Sequence, residues 1–82
     1  MKERRRTPRQ RTFKGAIISL PIGSVECTVR NLSANGALLE LQGPALVPDD
    51  FELVIRPENR RHFCHVIHRQ PRRLGVVFVS GL

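Results

Sequence analysis

The chain contains no tryptophan, no tyrosine and one methionine, with only two cysteines and four phenylalanines in 82 residues. Each scarcity removes a class of explanation. Small barrels that bind single-stranded nucleic acid stack the bases on exposed aromatic rings. Here Phe51, Phe63 and Phe78 fall at apolar positions expected to face a core, and only Phe13 stands near the basic head of the chain. A barrel that binds RNA or single-stranded DNA is therefore the second reading. Cys27 and Cys64 lack the close spacing of a zinc site or a redox pair, so they read as small apolar residues within strands. No apolar run reaches the length of a membrane span or a signal-peptide core, and a reducing cytoplasm is the expected compartment. Convincing helical periodicity is missing as well.

What is present has a period of two. The segment "SVECTVR" alternates cleanly, with Val25, Cys27 and Val29 on one face and Glu26, Thr28 and Arg30 on the other. "FELVIR" does the same, with Phe51, Leu53 and Ile55 on one side. Four further runs, 12–20, 37–42, 61–69 and 73–79, are rich in β-branched and apolar residues. Turn chemistry separates them. Pro21 and Gly23 break the first pair, and Asn35-Gly36 is a dipeptide that favours a tight hairpin. Pro44 and Pro48 interrupt any ladder between 43 and 50, and "PENR" and "QPR" divide the rest. A chain of this size buries only about 60% of its unfolded surface, and six short strands leave open edges unless the sheet closes on itself. The expected fold is all-β: a small six-stranded antiparallel β-barrel over 12–82, preceded by a flexible basic N-terminal arm over 1–11.

The charge lies almost entirely in that arm. Lys2, Arg4, Arg5, Arg6, Arg9, Arg11 and Lys14 against Glu3 give +6 before Gly15, and the remaining 68 residues, with seven arginines against six acids, give +1. Mutual repulsion and Pro8 oppose a helix, and Thr7, preceding the proline, is pushed toward an extended conformation. The expectation is a bent, solvated loop carrying several guanidinium forks. Such forks suit phosphate and the O6/N7 edge of guanine, and they stack on flat rings. An anionic partner follows.

Other polar residues lead nowhere chemical. His62, His65 and His68 recur every third residue, but in a strand His62 and His68 share a face with Cys64 while His65 points away, so no metal site is expected. No nucleophile motif and no paired acids stand out, so neither an enzyme nor a cofactor is expected. In "NLSANG", Asn31 and Ser33 lie two apart on an extended segment and point the same way, and Gly36 permits a positive φ or a close backbone approach.

Arg5-Arg6-Thr7-Pro8-Arg9 and Asn31-Leu32-Ser33-Ala34-Asn35-Gly36 together resemble the signature of the PilZ domain, a bacterial receptor for cyclic di-GMP. That family is marked by RxxxR in an N-terminal loop and [D/N]xSxxG at a later strand end. The ending "CHVIHRQPRRLGVVF" is similar to the family's final strand pair, so the resemblance spans nearly the whole chain. It implies that Arg5 and Arg9 grip guanine edges and phosphates, that Asn31 and Ser33 hydrogen-bond the ligand from the barrel face, and that Gly36 shapes the turn. Asn31 offers a neutral amide where an aspartate would add charge assistance, which implies a somewhat weaker affinity. For Arg69 two readings stand open: a contact to the ligand from an adjoining strand, as a further arginine makes in some relatives, or a plain surface charge. Arg4, directly before the pair, implies an intercalated cyclic di-GMP dimer, because an arginine there tends to accompany two stacked ligands. The implied function is a receptor or adaptor that orders its arm around the nucleotide and signals to an unidentified protein partner. The sequence ends at Leu82, directly after the last strand, where many relatives continue into a helix; a minimal member and a shortened chain both fit.

Overall fold

The computed structural model describes residues 10–43 and 45–79, with side chains from residue 13 onward. Six strands form where the alternation predicts them: β1 (Gln10–Ser19), β2 (Ser24–Leu32), β3 (Gly36–Leu41), β4 (Asp50–Ile55), β5 (Arg60–Arg69) and β6 (Arg73–Val79). β1 starts two residues before the expected strand, so Gln10 and Arg11 belong to it. All neighbours are antiparallel, and the order β1-β2-β3-β6-β5-β4 closes into a barrel. The chain builds two three-stranded meanders, β1–β3 and β4–β6, joined by one long crossover between Leu41 and Asp50. Closure gives every strand a hydrogen-bonded neighbour on both sides, which is what so short a sheet requires.

The alternating residues meet inside. Ile18, Val29, Leu39 and Leu53 are fully buried, and Phe51, Ile55, Leu74 and Val76 complete the layers around them. Each large apolar side chain buried in this way contributes about 1.5–3 kcal/mol. Cys27 and Cys64 are free and buried in the same core. Burial pushes both thiols up to about 12.

Three register shifts redirect side chains. On β1 the shift lies between Arg11 and Lys14, on β2 between Val29 and Asn31, and on β5 between Val66 and His68. The β5 shift corrects the strict alternation expected for its histidines. Val66 pairs with Val76 but His68 pairs with Gly75, so His68 moves to the outer face, away from Cys64. Phe63 also departs from expectation. Cys64 occupies the inner position between Phe51 and Phe78, so its neighbour Phe63 faces outward beside Val79 and is 60% exposed.

The hairpins sort the barrel into two ends. At one end lie the β2–β3 and β4–β5 turns, together with the entry of β1 at Gln10; this is called the arm end below. At the far end lie the β1–β2 and β5–β6 turns and the crossover. Gly23 sits in the β1–β2 turn at φ 84°, a conformation that glycine adopts without strain. The crossover drops Val47 into the core, where it is 5% exposed.

Candidate functional site

The β2–β3 turn is organised by Ser33. Its hydroxyl oxygen accepts hydrogen bonds from the backbone N–H of Asn35 (3.2 Å) and of Gly36 (3.3 Å), while the Ser33 N–H donates to the Gly36 carbonyl at 2.9 Å. This is the local side-chain closure that serine favours in turns. The Asn35 carbonyl accepts from the Phe78 N–H at 2.7 Å, tying the turn to β6. Gly36 has no positive φ. Its role is close approach: a Cβ there would lie 2.2 Å from the Val76 carbonyl oxygen. Of the two uses open to this glycine from its sequence, packing against β6 is the one the fold makes.

Asn31 reaches the outside through the β2 bulge. Continued alternation from Val25, Cys27 and Val29 would carry it into the core. Instead Val29 pairs with Leu39, Asn31 pairs with Leu38, and Leu32 takes the inner position opposite Ala37. The extra residue is Arg30, and Arg30 and Asn31 therefore both reach the outer face. Arg30 bonds the Glu40 carboxylate, and its guanidinium carbon lies 4.7 Å from the centroid of the Phe13 ring. That hydrogen bond, first of all, holds the Glu40 carboxyl below the usual range, with further help from the charges of Arg30, Arg73 and Arg72 and against a smaller opposing effect of burial.

Around these residues the outer face forms an open depression of about 500 Å³. Asn31, Ser33, Gly36 and Leu38 line one side, and Val76 and Val77 the other. It is a shallow surface with apolar walls, an amide and a row of turn atoms, which can seat a flat polar ligand and which no titratable nucleophile enters. Among the described residues, no group of histidine, cysteine and acidic side chains is arranged to hold a metal ion.

Three of the residues expected in the site, Asn31, Ser33 and Gly36, are thus brought together. Arg4, Arg5 and Arg9 lie outside the described residues. The strand that follows them does not: Gln10 pairs with Leu32 and Arg11 with Asn31. Arg69 is not brought to this group. It lies at the far end, where it donates to the Val47 carbonyl (2.9 Å) and to Asp49 (2.8 Å). Strand direction explains the separation: Arg69 ends β5 whereas Asn31 approaches the end of β2, and those two ends are opposite rims of the barrel.

Sequence reasoning passed over Arg30, Phe13 and Arg73 as parts of this face. Arg30 carries a visible signal, since it is the outermost polar member of the β2 alternation and directly precedes Asn31. The contribution of Phe13 and Arg73 depends on pairing partners that alternation does not name.

The family model described as PilZ domain matches residues 3–82. Among curated proteins, none matches this chain.

Proposed function

This chain belongs to the PilZ domain family, a family of cyclic di-GMP receptors. From that premise we propose that it binds cyclic di-GMP against the Asn31–Gly36 turn and orders its N-terminal arginines around the nucleotide. The observation that carries this reading is the register of β1 on β2. Gln10 opposite Leu32 and Arg11 opposite Asn31 bring the start of β1 to the same rim as the serine-closed turn. Arg9 is bonded to Gln10, and the four residues from Arg9 back to Arg5 span at most roughly 14 Å. Both arginines are therefore within chain reach of a ligand seated at Asn31.

The roles follow from side-chain chemistry. The guanidinium forks of Arg5 and Arg9 complement phosphate oxygens and the O6/N7 edge of guanine, and their charge assistance makes them the strongest contacts available. Asn31 can donate to and accept from a base edge. Ser33 acts through the turn it closes. Arg4 adds a third fork, and a second stacked ligand brings two more phosphates whose repulsion that charge offsets. The ligand stoichiometry in this reading is two per chain. The domain acts as a bacterial cytoplasmic receptor or adaptor that passes ligand occupancy to a protein partner, without catalysis. Among the described residues, no helix is long and apolar enough to cross a membrane.

The nucleic-acid reading keeps one supporting observation, the exposure of Phe13 and Phe63. The two rings stand on β1 and β5, with β4 between those strands, and Arg30 covers one of them. They therefore form no continuous track for successive bases. Calorimetric titration of the chain with cyclic di-GMP, with GMP and a short RNA as controls, separates the readings. Saturable binding of the dinucleotide alone supports the receptor. Tight RNA binding without it overturns the receptor reading.

A further inference from the structure

Asn31 and Leu38 line a second hollow beside the depression at the turn. It measures about 240 Å³, and its other walls are Phe13, Arg30 and Arg73. Of the described motif residues, only Asn31 reaches it.

Arg30 is held in an unusual way for a surface arginine. The Phe13 ring supports it on one side and the Glu40 carboxylate bonds its edge. The side chain nevertheless remains 36% exposed. A planar cation held by a ring and a carboxylate has already lost much of its rotamer freedom, so a flat heteroaromatic ring can stack on its open side at little further entropic cost. Arg73 faces the same hollow from across β3, where it pairs with Glu40 in the ladder. It makes no ion pair within 4 Å among the described residues. Its fork can take two acceptors side by side, which the O6/N7 edge of guanine offers; adenine presents an amino donor at the same edge.

We infer that the hollow formed by Phe13, Arg30 and Arg73 is a guanine-base subsite, in which the base stacks on the Arg30 guanidinium and Arg73 reads its O6/N7 edge. The inference rests on the reading of this face as a cyclic di-GMP site. A ligand with two guanines must place both, and the shared wall at Asn31 joins the two hollows so that one dinucleotide can enter both.

The test titrates cyclic di-GMP and cyclic di-AMP into the parent chain and into Arg30→Lys, Arg73→Ala and, as a control on another strand, Arg61→Ala. Circular dichroism checks that each variant is folded. Arg30→Lys keeps the charge beside Glu40 but loses the plane, and is expected to weaken cyclic di-GMP binding about tenfold. Arg73→Ala is expected to cost a similar factor for cyclic di-GMP while leaving any binding of cyclic di-AMP unchanged. In the parent, the Arg30 Nε–H resonance should shift when cyclic di-GMP is added, because a stacked purine carries a ring current. Arg61→Ala should bind as the parent does. If Arg30→Lys and Arg73→Ala match the parent while Arg9→Ala loses binding, the subsite is wrong and the receptor reading stands. A parent that binds no cyclic di-GMP overturns both.

Discussion

At the far end of the barrel Arg69 has both arms of its guanidinium engaged, one on the Val47 carbonyl and one on Asp49, and the Val66 N–H donates to the Asp49 carbonyl beside it. These bonds hold the crossover across the barrel mouth, with Val47 as the plug. At the arm end the comparable polar group, Ser33, engages only its own turn, and Asn31 and Gly36 face an open depression. The two ends differ in what their polar groups have left to do. Where fixed acids of the same chain meet the cation, the result is structure. The chain carries a net charge of +6 before Gly15, in the segment that leads into β1 at this end, and a charge of that size and sign suits an anionic ligand.

Four changes would break or sharpen that contrast, beginning with the largest. Arg5→Ala and Arg9→Ala are each expected to remove about 1.5–3 kcal/mol of cyclic di-GMP binding, roughly ten- to a hundredfold in Kd, with an unchanged melting temperature. Calorimetry beside a thermal melt reads both quantities. A variant that binds like its parent would remove that arginine from the site.

Gly36→Ala acts on the same end through the fold. Its new methyl carbon meets the Val76 carbonyl oxygen at a distance backbone atoms do not tolerate. Overpacking of this kind costs about 1–3 kcal/mol, which for a domain of this size lowers the melting temperature by roughly 4–8 °C per kcal/mol. Because β3 must shift against β6, nucleotide affinity should fall as well. A melting temperature equal to the parent's would refute the close-approach role.

Arg69→Ala is the mirror experiment. The crossover loses two hydrogen bonds, one of them to an exposed carboxylate, and an expected cost of about 1 kcal/mol follows from values for partly exposed polar contacts. Denaturant unfolding measures it, and the affinity for cyclic di-GMP should stay where it was. A loss of affinity without a loss of stability would return Arg69 to the ligand site.

The smallest effect is a pH dependence at the arm end. His62 stacks on Phe78 with ring centroids 4.2 Å apart, near Lys14, Glu58 and Arg60 at the barrel mouth. Burial first, and then the charge of Arg60, hold its pKa below the ordinary 6.5. The unfolded chain therefore takes up a proton in a range just below 6.5 where the folded chain does not, and stability declines as pH falls through that range. Urea midpoints measured between pH 7.5 and 5.5 should show the decline, and His62→Phe should flatten it.

Much of this fold was legible in the residues themselves. Phe51, Leu53 and Ile55 alternate and are all buried, and the six segments marked by alternation and turn residues are the six strands. The gathering of the second motif was legible as well, since Asn31, Ser33 and Gly36 need only a strand end and a turn to come together, whereas Arg5 and Arg9 lie outside the described residues. Phe63 shows the limit of such reading. It is as apolar as Phe51, and only the register that places Cys64 opposite Phe51 and Phe78 decides that it faces outward.

Local chemistry thus determined, from sequence alone, that this chain forms a β-barrel with a cationic head and a tight turn at Asn35-Gly36, because period-two alternation, turn residues and net charge act over a few neighbouring positions. Tertiary structure alone decided the rest. It set which strands became neighbours, sending Arg69 to the rim opposite Asn31, and it placed the bulges. A single extra residue at Arg30 reverses the facing of everything after it and turns Asn31 out of the core. A bulge or a closed register depends on how distant strands share their hydrogen bonds, and no window of consecutive residues contains both partners.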